Sequence, residues 1–247
     1  MAKPRLLITR FAPHAQRVAE LLNEQGIFCH AQPLLEVKVN QNCNSPFLKH
    51  YDFIIAISCN AVEYTSQSIV ADWPETRYLA VGKATGSLLH TKTKQPISIP
   101  SKCYNSEGLL LLPELQKLHN CSILILRGVG GREFLKEQLI ARGATVDYYE
   151  SYQRVAISLA KSKSIDKWQQ QAINGAIISS IELLEQLVVL AGADDSEWLK
   201  SLTIYAASQR ILNHAVALGF QNNVLLANIS HQAIVEYFTG EGSYERD

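Results

Sequence analysis

The chain has 247 residues, 47% hydrophobic and 19% charged, with Lys+Arg and Asp+Glu both at 23 and a formal net charge of zero. Such a length builds one large or two ordinary domains with a real core. The charge balance excludes a global electrostatic pull toward nucleic acid or a membrane surface, so a polyanionic ligand would have to be held by local donors.

The opening "MAKPRLLITRF" has three consecutive apolar residues before Thr9 and Arg10, too few for a signal peptide. The charge-free stretch after Arg210 is broken by Asn, His and Gln and does not read as a membrane span. A soluble, cytoplasmic protein is expected. The five cysteines, Cys29, Cys43, Cys59, Cys103 and Cys121, form no C-x-x-C pair. They are expected to be buried free thiols in a reducing compartment rather than a disulfide framework or a zinc ribbon.

From the N-terminus onward, β-rich runs alternate with helical ones. Strands are predicted at "RLLITR", "YDFIIAIS", "RYLAVG", "PISIP", "SILILR", "GAIISS", "LTIYAAS" and "NVLLAN". Each precedes apolar residues at helical spacing, such as "AQRVAELLNEQG" or "SQRILNHAVALG". The strands are continuously apolar, as when helices cover both faces of a parallel sheet. So many strands favour two sheets in two domains. An internal echo agrees: 117 positions separate Arg10 from Arg127, Gly26 from Gly143 and Leu7 from Leu124. Two mixed pieces, "HAQPLLEVKV" and "DYYESYQRVAI", read as crossings between domains. The expected organisation is two doubly wound α/β domains, residues 37–149 being inserted into a domain made of 1–36 and 150–247.

In parallel α/β sheets, ligands sit beyond the carboxyl ends of the strands, where helix N-termini present unpaired N–H groups. The junctions there are rich in glycine and small hydroxyl residues: "ITR", "SCNAV", "VGKATGS", "NSEGLL", "RGVGGRE", "SSIELL" and "ASQRI". N-capping explains each one taken alone. Together, in both halves, they would surround a large anionic ligand with neutral donors. The candidate contacts are Arg10, Ser58, Asn60, Ala61, Gly82, Thr85, Ser106, Arg127, Gly128, Ser179, Ser180, Ser208 and Arg210.

Nucleotide and metal signatures fail. "RGVGGRE" has Glu133 where a dinucleotide fingerprint needs its third glycine, and "VGKATGS" lacks the P-loop order. The seven histidines show no H-x-x-x-H or H-E-x-x-H spacing, and there is no G-x-S-x-G elbow. Tyr152 stands out in a polar crossing segment beside Gln153 and Arg154. It reads either as an aromatic packed between domains or as a phenol directed into a cleft.

In this order, "LLITR", "ISCNAV", "AVGKAT", "NSEGLL", "ILRGVGGRE" with Gly143 and Tyr152, and "AASQRI" with "LGF" resemble the uroporphyrinogen-III synthase family along almost the whole chain. "RGVGGRE" followed by Gly143 and Tyr152 is the most specific part, and Cys59 stands where the family leads one to expect proline. The resemblance implies two α/β domains joined by a two-stranded linker, with the active site in the cleft between them. It implies cyclisation of linear hydroxymethylbilane to uroporphyrinogen III, with loss of water and inversion of ring D through a spiro intermediate. No cofactor or metal is implied. The protein would act as a monomer, with room for a transient contact with the preceding enzyme of the pathway. The substrate's eight carboxylates suit many neutral donors, and Tyr152 becomes the candidate catalytic residue that assists departure of the hydroxyl. The competing expectations are a non-catalytic two-domain anion-binding protein and a nucleotide-sugar transferase.

Overall fold

The computed structural model describes residues 3–42, 47, 49–69 and 72–240. Among them the chain divides into two compact units, Met1–Glu36 with Val155–Asp247, and Val37–Arg154.

The first unit holds β1 (Leu6–Ile8), α1 (His14–Glu24) and β2 (Cys29–Ala31). The second holds β4 (Phe53–Ala56), α2 (Cys59–Ser68), β5 (Arg77–Ala80), α3 (Lys83–Thr93), β6 (Ile97–Ser98), α4 (Ser106–Leu109), β7 (Ser122–Gly128) and α5 (Phe134–Ala141). The strands β3 (Leu35–Val39) and β8 (Thr145–Ala156) carry the chain out of the first unit and back into it. The first unit resumes with α6 (Lys161–Gln170), β9 (Gly175–Ile177), α7 (Ile181–Ala191), α8 (Ser196–Ser201), β10 (Thr203–Ala206), α9 (Gln209–Ala217), β11 (Asn222–Leu225) and α10 (His231–Thr239).

The sheet of the first unit has the order β11-β10-β9-β1-β2, and its pairs are parallel. Because side chains alternate faces along a strand, Leu7, Ala176 and Ile204 enter one core with Trp168 of α6 and Leu183 of α7. Leu6, Ile8 and Ile177 enter the other with Val18 of α1 and Ile234 of α10. The second sheet has the order β3-β8-β7-β4-β5-β6, parallel from β8 to β6. Phe53, Ile55, Ile123 and Ile125 face α5 and α4 on one side. Ile54, Ala56, Leu124 and Leu126 face α2 and α3 on the other. Burial on both faces is why these strands read as unbroken apolar runs.

All eight predicted strands form. The mixed "crossing" pieces are more than connectors, since β8 pairs in parallel with β7 from Thr145 to Tyr152 and β2 pairs with β1. "NSEGLL" opens only a four-residue helix before the chain turns into a 3-10 turn at Pro113–Leu115. The thiols depart from expectation: Cys29 is buried, but Cys59 and Cys103 are exposed and Cys121 is half-buried. Cys43 lies outside the described residues. No helix among the described residues is long and apolar enough to cross a membrane.

Candidate active site

Parallel strands bring all their carboxyl ends to one edge. In the second unit that edge receives Tyr152 from β8, Gly128 from β7, Ser58 after β4, Gly82 after β5 and Ser106 at the start of α4. The chain order reverses between β7 and β4, the place where doubly wound sheets open a crevice. Ser58 and Gly128 flank that point.

Tyr152 reaches it by way of a bulge. Arg127 pairs with Glu150 but Gly128 pairs with Tyr152, so Ser151 is an extra residue on β8. Strict alternation would send Tyr149 and Tyr152 to opposite faces; the bulge puts both in the same core. The Tyr152 ring then lies over Gly128, where a Cβ would fall 2.5 Å from its Cε2 and Cζ. Only glycine allows that approach. The ring packs against Tyr64 at 5.7 Å between centroids. The hydroxyl arrives 3.2 Å from Ser58 Oγ. Tyr152 as a whole is 6% exposed.

Ser58 is the N-cap of α2, and its Oγ accepts from the Ala61 amide at 3.1 Å. That amide, on a fully buried residue, is therefore taken. Asn60 is exposed on the first turn. Gly82 caps α3 positionally and is covered by Tyr104, and Thr85 is 5% exposed with its hydroxyl 3.7 Å from Cys59 Sγ. Ser106 is half-buried at the start of α4, behind the Asn105 cap.

Arg127 answers why a buried strand ends in an arginine followed by glycines. Its side chain is 3% exposed, and its donors go to Glu133 Oε1 at 3.0 Å and to the Gly130 and Gly128 carbonyls. Glu150 lies 3.8 Å away, and the guanidinium stacks over Tyr148 at 4.3 Å. Positive φ at Gly130 and Gly131 turns the loop back onto it. Through these bonds Arg127 ties the β7–α5 loop to its own strand. The Tyr148 hydrogen bond, together with Arg127, holds the Glu133 carboxyl below its usual range. Burial and that same bond push the Tyr148 phenol up to about 12.

The carboxyl edge of the first unit carries the other candidates. Thr9 is buried and donates to the Ile177 carbonyl at 3.0 Å. Arg10 is half-buried and donates to Ile229 O at 2.7 Å. Ser180 caps α7, accepting from the Leu183 amide at 3.2 Å, beside the half-buried Ser179. Ser208 stands at the N-cap of α9 without a side-chain cap bond, and Arg210 is exposed in the first turn. The fold also assembles groups that sequence spacing does not announce. His14 and His231 open α1 and α10 with ring nitrogens 3.3 Å apart. Burial, then Arg10, His14 and Arg17, lower the His231 imidazole. Lys83, exposed at the start of α3, holds its Nζ 5.9 Å from the ring of exposed Tyr104. Among the described residues no three His, Cys, Asp or Glu side chains cluster so as to hold a metal ion.

The family model described as Uroporphyrinogen-III synthase HemD matches residues 16–236. The chain belongs to the uroporphyrinogen-III synthase family. It is 32% identical over 240 residues to the uroporphyrinogen-III synthase of Escherichia coli, covering 93% of this chain and 98% of that protein, and equally so to that of Salmonella typhimurium. The Proteus mirabilis protein of the same name is 31% identical over 192 residues, 74% of this chain and 96% of its own. Among solved structures, uroporphyrinogen-III synthetase from Helicobacter pylori aligns with a TM-score of 0.62 at 15% identity, over 97% of this chain and 100% of that one. A mutant uroporphyrinogen III synthase from Thermus thermophilus aligns at 0.60 and 13%, over 96% and 98%. At such identities the structural likeness speaks for the fold, and the family rests on the sequence matches.

Proposed function

We propose that this member of the uroporphyrinogen-III synthase family is a cyclising hydro-lyase that converts linear hydroxymethylbilane to uroporphyrinogen III. Water is lost, and ring D inverts through a spiro intermediate. We assign it to the cytoplasm, as a monomer working without a cofactor and meeting the preceding pathway enzyme at most transiently. The supporting observation is the Tyr152 hydroxyl beside Ser58 at the point where the strand order of the second sheet reverses.

Loss of the hydroxymethyl oxygen leaves an electrophilic azafulvene, which ring D attacks through its substituted carbon. The linear substrate also closes unaided to the unrearranged isomer, so the protein's task is to hold the geometry that leads to spiro attack. Neutral donors serve that task. Asn60, Ser106, Ser179, Ser208 and Arg210 keep side chains open to a ligand. Ala61, Gly82, Thr85, Arg127 and Gly128 act by shaping the loops and helix starts around it. Ser58 and Tyr152 are the pair nearest to the chemistry.

The deciding experiment adds hydroxymethylbilane to the purified protein and separates type III from type I product. Type I alone, at the spontaneous rate, would leave an anion-binding protein and remove the enzyme. Tyr152→Phe keeps the ring and deletes the hydroxyl; type III formation should slow about 10²-fold at unchanged thermal stability. Unslowed turnover would take Tyr152 out of the mechanism. We also propose that residues 37–149, with the rest of β8, fold as an independent insertion. A Val37–Arg154 fragment should unfold cooperatively, and its disorder by amide exchange would refute the insertion.

A further inference from the structure

The contact between Ser58 and Tyr152 has a direction that hydrogen-bond accounting supplies. Ser58 Oγ already accepts the Ala61 amide at 3.1 Å, which leaves it one lone pair and one proton. Tyr152 is 6% exposed, and Ser58 Oγ at 3.2 Å is the acceptor its hydroxyl meets. Were Ser58 the donor in this contact, the phenolic proton of this largely buried residue would have no acceptor among the described residues, which is the costlier arrangement. A phenol is also a stronger donor than an aliphatic alcohol. Tyr152 therefore donates to Ser58, both lone pairs of Ser58 Oγ are occupied, and its own proton must point away from the pair. Ser58 is half-buried and stands at the open carboxyl edge of β4, so that proton meets whatever occupies the crevice.

We propose that Ser58 is the group that contacts the departing hydroxyl of the substrate, and that Tyr152 is a positioning residue that orients and polarises it from behind. This rests on the function proposed above. As the carbon–oxygen bond breaks, its electron pair stays on oxygen, which takes the Ser58 proton and leaves as water, and the azafulvene is left in its cationic form with the pyrrole N–H retained. Ser58 Oγ takes the Tyr152 proton in turn. The pair recovers a proton when the closed ring loses one to restore its pyrrole. Gly128 and the Ser151 bulge exist, on this reading, to carry the phenol across β7 to the back of Ser58.

The test measures type III and type I formation from hydroxymethylbilane by full-length variants. Ser58→Gly keeps an acceptable N-cap while deleting the hydroxyl, and Ser58→Ala is its companion. Either should lower kcat for type III by about 10²-fold or more, with KM changed by less than about 3-fold. Ser58→Thr, which keeps a hydroxyl, should recover most of the rate. In Ser58→Gly/Tyr152→Phe the losses should not multiply, because the phenol acts only through Ser58. A multiplied loss of about 10⁴-fold, or wild-type kcat in both single Ser58 variants, would overturn the proposal while leaving type III synthesis intact. A readout independent of substrate is the ¹⁹F signal of 3-fluorotyrosine at position 152. Ser58→Gly should shift it, and an unmoved signal would mean that the pair does not exist.

Discussion

The two units are built on one plan and finished differently. Taken from their central strands, β2-β1-β9-β10-β11 and β8-β7-β4-β5-β6 follow the same order. The registers agree as well: Leu6 pairs with Cys29 as Ile123 pairs with Val146, and Ile8 with Ala31 as Ile125 with Tyr148. Both offsets are the 117 positions of the internal echo. Ser58 and Ser180 hold equivalent places, each accepting from the amide three residues on. The differences gather at the carboxyl edge. Where the second unit has Gly128 beneath Tyr152, the same offset gives Phe11 and the buried Leu35 in the first. Arg127 is sealed among four partners, while Arg10 is half-buried on one carbonyl. The scaffold is shared, and the polar reach across the switch point belongs to the second unit.

Substitutions at matched positions can break that contrast. Arg127→Met removes a buried guanidinium with several acceptors and should cost about 3 kcal/mol in urea unfolding, against about 1 kcal/mol for Arg10→Met. Equal losses would mean that the two arginines do the same work. Gly128→Ala drives a methyl into the Tyr152 ring and should cost about 2 kcal/mol while slowing type III formation as severely as Tyr152→Phe. Full activity in that variant would show the ring free to move.

Smaller effects sharpen the comparison. Ser180→Ala loses a real cap bond, about 1 kcal/mol, whereas Ser208→Ala should fall within about 0.5 kcal/mol by thermal melting. Smallest is an acid effect in the second unit. The backbone amide and then the hydroxyl of Ser122 hold the Asp52 carboxyl below its usual range. A depressed carboxyl stabilises the fold above its unfolded pKa near ~3.9, and that contribution fades as pH falls through the lower folded value. Melting temperature should therefore drop below about pH 4, and Asp52→Asn should lower it at neutral pH while flattening the acid decline. An unchanged acid profile would assign the decline to other carboxylates.

The strands, their faces and the repeat were legible because doubly buried parallel strands write themselves as unbroken apolar runs. The junction residues were legible as capping chemistry. What each side chain does there was not. Glu133 and Glu150, which absorb Arg127, lie at the N-cap of the following helix and on the neighbouring strand, so only the folded loop and the strand pairing reveal them. The buried face of Thr85 was readable, since it shares helical spacing with Leu89 and Thr93. The Ser151 bulge was not, because one extra residue in a mixed strand leaves no periodic trace, yet it decides which face Tyr152 occupies.

The pairing of β1 also sets an order in time. Leu6 lies between Cys29, made almost at once, and Gly175, made long after it. At ribosomal speeds of about 5–20 residues per second, that second neighbour comes on the order of ten seconds later. Meanwhile one side of β1, with Leu6, Leu7 and Ile8, has no strand to lie against, and Val37–Arg154 emerges as an uninterrupted stretch. Strand β1 is thus made well before the neighbour that completes its pairing, and its waiting edge is where the nascent chain is most exposed to mispairing.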